Sequence, residues 1–282
     1  MKNHLNKKTV VGYIGKKSVL AKSFIDSYKE KFVFKAFIGD IRDYKKINSW
    51  LTNNTDINIF INFAAITSVN NSEKSKNKSY NVNYKSVVHL LDTINLIKMD
   101  DFYYFLSLST SHVFEKSQYK LTEQSKKKPS NYYGYTKNIL EKHILKNQNK
   151  YKFRVGIARI FNYYNKGLKK GFFINDVIDK LKNNKKIIKF TNSNSYRDFV
   201  SMEDINTAIL KMINLRLIND YNICSGKKIY LPDIINYLNK KLKNKTIFFD
   251  SKLSADIVGS NIKLKRCGWK IKHKNFLNEL LK

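Results

Sequence analysis

Cysteine is scarce in this chain, whose 282 residues include two, Cys224 and Cys267. Two cysteines so far apart give neither a disulfide framework nor the close spacing of metal ligands. We therefore expect no metal site and a reducing, cytoplasmic compartment. Apolar runs approaching the roughly 18–20 residues of a membrane span are also lacking. The polar N-terminus leads straight into a strand-like stretch, so neither a membrane segment nor a signal peptide is predicted.

Proline and glycine are sparse, with 2 and 10 residues, and no low-complexity tract favours disorder. Hydrophobic residues make up 42% of the chain and aromatic residues 13%, which is enough for a sizeable core. The length accommodates one large α/β unit or two modest domains.

Acidic residues are few: 22 Asp and Glu stand against 54 Lys and Arg, for a formal net charge of +32. Such an excess is one signature of a nucleic-acid or membrane-surface partner. Here the basic residues are nearly all lysines spread along the chain, and clusters such as 126–128 are short. We interpret them as a general lysine enrichment, which makes nucleic acid an unlikely partner while still attracting phosphates.

A strand, a glycine turn and a helical pattern open the chain. Residues 9–14 predict a buried strand, which runs through Gly15 into a helix. Small residues at such a turn let the backbone approach a pyrophosphate, and the helix N-terminus supplies N–H groups. The usual glycine positions are occupied by Gly15, Ser18 and Ala21. A plain tight turn and a register that starts at Gly12 are the alternatives.

Acidic and small residues follow the next two predicted strands. Asp40 lies after the strand at 32–38 and is a candidate to meet the adenosine of a dinucleotide. A helix N-cap is the alternative, because a helical pattern follows at once, and Asp40 and Asp43 can divide the two roles. The strand at 57–62 ends in Phe63-Ala64-Ala65, and small alanines leave room for a flat cofactor.

Hydroxyl groups follow the fourth predicted strand, at 102–108. Ser109, Thr110 and Ser111 are candidates for polarising a substrate oxygen at the strand end. His112 comes next and is interpreted as a packing or solvent-facing residue. A helix predicted over 79–96 precedes this strand and carries Asn83.

Tyr133 and Lys137 lie four residues apart in a stretch that predicts a helix. This spacing puts both side chains on one helix face, with about 5–6 Å between their Cβ atoms. A nearby ammonium favours the phenolate and makes a tyrosine a usable proton donor or acceptor. The spacing is common, so its meaning depends on the residues around it.

The alternation of strands and helices continues with a strand at 154–160 and predicts an α/β fold with a doubly wound parallel sheet. We expect a Rossmann domain over 1–164 and a smaller mixed α/β substrate lid over 165–282. Residues of about 198–225 are expected to return to the first domain. In this second part, a single strand is predicted over 196–200, and a final short helix is predicted after the turn at Trp269.

These pieces together resemble the extended short-chain dehydrogenase/reductase superfamily, in its nucleotide-sugar epimerase, dehydratase and reductase group. The resemblance covers nearly the whole chain in the right order. It rests on Gly15-x-x-Ser18-x-x-Ala21, Gly39-Asp40-Ile41-Arg42-Asp43, Asn62-Phe63-Ala64-Ala65, Asn83, Ser109-Thr110, Pro129-x-x-x-Tyr133-Gly134-x-x-Lys137, Arg159-x-Phe161-Asn162, Arg197-Asp198-Phe199-Val200-x-x-Glu203-Asp204 and Tyr221-Asn222-Ile223-x-Ser225-Gly226.

The resemblance implies a role for each matched residue. Tyr133 is expected to be the catalytic acid or base, Lys137 to lower the pKa of Tyr133 and hold the nicotinamide ribose, and Thr110 to bond the reacting oxygen. Asn162 and Arg197 are expected to bind the substrate diphosphate, with Thr110 and Ser111 nearer the sugar. The expected cofactor contacts, for NADP or NAD, are Gly15, Ser18, Val19, Leu20, Asp40, Ile41, Phe63, Ala64, Ala65, Asn83, Ser109, Tyr133 and Lys137.

The residues after Thr110 narrow the expected reaction. Family dehydratases carry Asp-Glu there, whereas this chain has Ser111-His112, which argues against water elimination. The 3,5-epimerase/reductases use a cysteine near the hydroxyl motif, and this chain has none there. We expect a reductase of 4-keto(-6-deoxy) nucleotide-diphosphate sugars, with a 4-epimerase that holds NAD tightly as the alternative.

A third alternative is a superfamily member without catalysis that acts as a binding or regulatory protein. The altered glycine motif and the positive charge favour it, whereas the intact Thr110, Tyr133 and Lys137 argue against it. Family habit also suggests a homodimer. Lys35 and Arg42 slightly favour NADP over NAD.

Overall fold

The structure is a computed structural model that describes residues 8–99, 101–164, 173–191, 193–242, 244–250 and 256–273. Contacts divide the chain into two compact units. The first comprises the described parts of 1–113, 127–159 and 206–221, and the second those of 114–126, 160–205 and 222–282. The predicted domain boundary after residue 164 stays a prediction.

A six-stranded sheet forms the centre of the fold, in the order β10-β5-β4-β3-β1-β2. β1 pairs in parallel with β2 and β3, and β3 with β4. The predicted α/β fold with a parallel sheet is confirmed. The six strands are β1 (Val10–Ile14), β2 (Val33–Phe37), β3 (Ile59–Asn62), β4 (Tyr104–Thr110), β5 (Arg154–Ile160) and β10 (Asn219–Ile223).

Every residue of β1, β3 and β4 is buried, as expected for inner strands covered on both faces. The helices between the strands pack a continuous apolar core, with Leu51, Leu91 and Ile144 among its fully buried side chains. The helices up to β5 are α1 (Val19–Tyr28), α2 (Tyr44–Thr52), α3 (Val69–Lys74), α4 (Lys76–Tyr80), α5 (Ser86–Leu96) and α6 (Tyr132–Asn147).

The helix predicted over 79–96 is interrupted. A π-helical turn, Asn81–Lys85, separates α4 from α5. The turn contains Asn83, whose fully buried side chain bonds outside its own helix. A π turn admits one extra residue into the helix and is often found at functional sites.

The second unit contains short strand pairs and helices. Its pairs are β6 with β9 and β7 with β12, both parallel, and β8 with β11, which is antiparallel. α7 and α9 share one apolar cluster. The elements of this unit are β6 (Asn162–Tyr164), α7 (Phe173–Lys182), β7 (Ile187–Phe190), β8 (Tyr196–Arg197), β9 (Phe199–Ser201), β11 (Ile229–Tyr230), α9 (Leu231–Leu242), β12 (Thr246–Phe249) and α10 (Ile262–Arg266). The helix α8 (Met202–Asn214) begins in the second unit and has most of its length in the first.

The single strand predicted over 196–200 is two strands, β8 and β9, separated at Asp198. The buried carboxylate of Asp198 accepts hydrogen bonds from Ser225, from the Gly226 amide and from the Gly259 amide. These bonds hold the chain out of regular pairing at this residue.

Two further expectations concern other parts of the chain. The short helix predicted after Trp269 and part of the lid region at 165–196 lie outside the described residues. None of the helices in the described ranges has the length and apolar character needed to cross a membrane.

Candidate active site

The end of β4 carries the hydroxyl residues predicted for the site. Thr110 is its last residue, and Ser111 begins the 3₁₀ turn Ser111–Val113. Both are buried. The Thr110 hydroxyl oxygen accepts a hydrogen bond from the His112 amide at 3.3 Å, which fixes it at the C-terminal edge of the sheet.

α6 starts directly against this turn. Asn131 caps the helix by accepting a hydrogen bond from the Gly134 amide at 2.9 Å, and its amide nitrogen lies 2.9 Å from Nδ1 of His112. A Cβ on Gly134 would lie 2.2 Å from the His112 carbonyl oxygen, so only glycine permits this approach. His112 is therefore a packing residue that ties α6 to the end of β4.

Tyr133 is buried in the first turn of α6 and hydrogen-bonds to Thr110. Burial raises the pKa of the phenol to about 12, against the lowering effect of that hydrogen bond. The direction is opposite to the lowering expected from Lys137, because in this structure desolvation outweighs the other effects on the phenol. The tyrosine is accordingly protonated at neutral pH.

Lys137 lies one turn further along α6, buried on the same face. Its Nζ donates to the carbonyl of Leu108, two residues before Thr110 on β4, at 2.9 Å. Burial lowers the pKa of Lys137 to about 8, and the negative charge of Glu141 acts in the raising direction.

A buried ion-pair network lies behind this pair, and the sequence analysis did not single out its acids. Glu141 accepts the Ser109 hydroxyl at 2.5 Å and the Arg159 guanidinium at 2.7 Å. Arg159 also pairs with Asp220 of β10. The sequence signal for this network is Glu141, a carboxylate four residues after Lys137 on the same helix face.

The β1–α1 turn, which is predicted to cradle a phosphate, is a tight turn at Gly15. Gly15 has φ +94, and a Cβ there would lie 2.6 Å from the Ala64 amide nitrogen. Ser18 occupies the N-cap of α1 but makes no side-chain capping bond, and Val19 and Leu20 form the first half-buried turn. The cradle that a Cβ would fill fits the pyrophosphate of NAD or NADP.

Gly15→Ala is expected to destabilise the fold by about 1–3 kcal/mol, because the left-handed backbone and the Ala64 contact both disfavour a side chain. The affinity of Gly15→Ala for NADPH should also fall. Urea unfolding and fluorescence titration measure the two effects. Gly39→Ala is the matched control, since its nearest contact is the Phe37 ring and not backbone. Equal effects in both variants would contradict the assignment.

Of the two roles predicted for Asp40 and Asp43, the structure shows the helix N-cap, and the contact of Asp40 with adenosine stays a prediction. Asp43 is the N-cap of α2 and accepts from the Lys46 amide. Asp40, exposed after β2, accepts from the Arg42 side chain and amide, and these hydrogen bonds lower the pKa of its carboxyl to about 2. Ile41 is buried in the core. Lys35 pairs with Asp56, so neither predicted cation is unpaired.

Four residues around β3 and the π turn occupy different environments. Ala64 and Ala65 are half-buried. The Phe63 ring is buried against Tyr13, so its side chain contributes to the core. The Asn83 amide exchanges hydrogen bonds with both backbone groups of Ile66. Asn83 thus shapes the loop after β3.

Asn162 and Arg197 belong to the second unit. Asn162 starts β6 and donates to the Asp198 carbonyl at 3.1 Å. Arg197 is half-buried on β8, and burial lowers the pKa of its guanidinium. Within the described residues, no group of three His, Cys, Asp or Glu residues is arranged to hold a metal ion.

The profile of the NAD dependent epimerase/dehydratase family matches residues 9–224. The match covers more than half of the chain and includes the turn, the hydroxyl strand and the Tyr133–Lys137 helix. This chain belongs to the NAD dependent epimerase/dehydratase family. The predicted membership in the extended short-chain dehydrogenase/reductase superfamily is confirmed, and so, at the level of the family, is the predicted nicotinamide cofactor.

One curated protein and two solved structures are similar to this chain. A GDP-6-deoxy-D-talose 4-dehydrogenase of Aggregatibacter actinomycetemcomitans is 27% identical over 224 residues, which cover 75% of this chain and 73% of that protein. The structure of RMD from Pseudomonas aeruginosa complexed with NADPH aligns with a TM-score of 0.84, at 19% identity and 97% coverage of both chains. A Thermus thermophilus UDP-glucose 4-epimerase complexed with NAD aligns with a TM-score of 0.81, at 15% identity and 95% coverage of both. At these identities the two structures support the fold.

Proposed function

We propose that this family member reduces the 4-keto group of a nucleotide-diphosphate sugar with NADPH or NADH, and that Tyr133 donates the proton. The observation that carries the proposal is the buried phenol of Tyr133, which lies beside the buried Thr110 on the same helix face as the buried Lys137. A ketone that accepts a hydride develops negative charge on oxygen, and a positioned acid lowers that barrier.

The chain's own residues hold the reacting groups. The Thr110 hydroxyl bonds the keto oxygen, and the Lys137 ammonium stabilises the phenolate that remains after proton transfer. The reduced nicotinamide supplies the hydride when bound. The residues proposed to hold the cofactor are Gly15, Ser18, Val19, Leu20, Asp40, Ile41, Ala64 and Ala65.

Arg197 and Asn162 are proposed to bind the diphosphate of the substrate. A guanidinium matches phosphate oxygens with two parallel hydrogen bonds. The name of the relative that acts at carbon 4 of a GDP-6-deoxy sugar supports a substrate of this class. The Ser111-His112 pair supports keto reduction over dehydration, because it offers no acid pair.

A 4-epimerase is the second candidate, because it uses the same Thr110, Tyr133 and Lys137. The similar UDP-glucose 4-epimerase fold favours it. The test incubates the purified protein with NADPH or NADH and a panel of 4-keto-6-deoxy nucleotide sugars, and separately with UDP-sugars without added cofactor. Oxidation of reduced cofactor supports the reductase, and epimerisation without it supports the second candidate. Protein that binds no NAD(P)(H) but retains RNA in a salt-sensitive manner would overturn both.

The reductive rate is expected to fall as pH rises through about 8. Burial lowers the pKa of Lys137 to about 8, so the ammonium is present below that pH and lost above it. The phenol, with its pKa raised to about 12, stays protonated across this range. The dependence of kcat on pH measures the effect, and a flat profile from about pH 7 to about pH 10 would contradict it.

A further inference from the structure

We infer that Glu141 is a positioning residue that orients α6 on β4 and places a negative charge one helical turn after Lys137. The inference deepens the proposed function and rests on it. Glu141 follows Lys137 by one helical turn, and both side chains contact the same strand, β4.

Two contacts link α6 to neighbouring residues of β4. Lys137 Nζ donates to the Leu108 carbonyl at 2.9 Å, and the Ser109 hydroxyl donates to Glu141 Oε1 at 2.5 Å. Leu108 and Ser109 directly precede Thr110. A shift of α6 along the strand would break both contacts, so together they fix the distance between the Tyr133 and Thr110 hydroxyls.

Glu141 is paired with Arg159. The guanidinium is fully buried and bonds both carboxylate oxygens, at 2.8 Å through Nε and 2.7 Å through Nη2. Burial alone would lower the pKa of Arg159, but the charges and hydrogen bonds of Glu141 and Asp220 raise it. A buried cation therefore holds the Glu141 carboxylate in place one helical turn after Lys137.

Glu141 is also the charge that acts on Lys137. The other titratable groups near this face are Tyr133 on α6, His112 in the 3₁₀ turn, Arg159 on β5 and Asp220 on β10. Among the described residues, the acids and tyrosines of the neighbouring helices reach other parts of α6: Glu73 accepts from the Tyr132 amide, and Tyr84 and Asp92 act on His143. Glu141 opposes the effect of burial on the Lys137 ammonium.

The test compares two isosteric variants, each of which converts one carboxylate partner of Arg159 into an amide. In Glu141→Gln, the alkaline limb of the pH profile of kcat, where kcat falls as pH rises, is expected to move to lower pH by about 1 unit. This is the lower end of the pKa shift that a close opposite charge causes. Asp220→Asn, the matched control, should leave that limb in place, because Asp220 bonds Arg159 and not Lys137. Equal shifts in both variants, or none in either, would overturn the inference.

A second readout is independent of activity. Titration of the Lys137 ¹⁵Nζ resonance, assigned by its loss in Lys137→Met, should show the same downward shift in Glu141→Gln. This separates failure of the inference from failure of the proposed function, since an inactive protein still titrates. If Glu141→Gln does not fold, the double variant Glu141→Leu/Arg159→Met removes both buried charges and should show the shift; an unchanged resonance there would overturn the inference.

Discussion

Tyr133→Phe is expected to lower kcat by about 10²–10⁴-fold, the usual contribution of a positioned general acid. The phenol is buried, hydrogen-bonded to Thr110 and protonated at neutral pH because burial raises its pKa to about 12. Phenylalanine preserves the ring and its packing near His112, whose ring centroid lies 5.7 Å away. The variant should therefore keep its fold and bind NADPH nearly as the parent protein does.

Tyr135→Phe is the matched control for this prediction. It removes a hydroxyl from the same helix, but Tyr135 is 44% exposed and has no proposed role in the site. Its kcat should stay within about twofold of the parent value, as expected for a surface substitution. Stopped-flow measurement of NADPH oxidation and fluorescence titration of NADPH separate chemistry from binding. Full activity in Tyr133→Phe would contradict the proposed mechanism.

The sheet was predictable from the sequence because β1 and β3 are almost wholly apolar runs, as expected for strands buried on both faces. β4 begins with an apolar run and then alternates leucine with serine before Thr110. Gly15 follows β1 and Ser111 follows β4, whereas Phe63 and two alanines follow β3.

The Gly15 turn was predictable because it directly follows a strand. That position is more informative than the residues at the two later motif positions, Ser18 and Ala21. At Gly15, the φ of +94 and the approach to Ala64 explain why glycine stays here while Ser18 and Ala21 are tolerated.

Interactions distant in sequence were not predictable. The interruption of the 79–96 helix depends on Asn83 reaching Ile66 and Thr136, and the break between β8 and β9 depends on Asp198 reaching Ser225 and Gly226. The secondary-structure propensities of the residues in these segments predict neither contact.

Burial is the second quantity that spacing does not reveal. The four-residue interval between Tyr133 and Lys137 suggested a phenol with a lowered pKa, because it gave the neighbouring charge but not the desolvation. In the folded chain Lys137 donates to the Leu108 carbonyl, and burial raises the pKa of the phenol. The sequence predicts Tyr133 and Lys137 as a pair, whereas the protonation of each depends on the packing around it.

Arg159→Met is expected to lower the free energy of unfolding by about 3–5 kcal/mol, the cost of breaking a buried ion pair on one side. The guanidinium is fully buried and neutralises both Glu141 and Asp220. Methionine leaves these two carboxylates with no arginine. Urea unfolding followed by far-UV circular dichroism measures the loss. Arg154→Met on the same strand is the control: Arg154 is exposed, so its effect should stay within about 0.5 kcal/mol.

The pH dependence of this loss identifies its cause. Without Arg159, two buried carboxylates lack their cation, and a buried carboxylate without a partner has a folded-state pKa above its unfolded value. Such a group contributes full stability below the unfolded pKa of about 4.3 and loses it as pH rises through the folded value. The deficit of Arg159→Met relative to the parent should therefore be smaller near pH 5 than near pH 8, since Glu141 and Asp220 can take up protons. A deficit independent of pH would indicate lost packing in place of uncompensated charge.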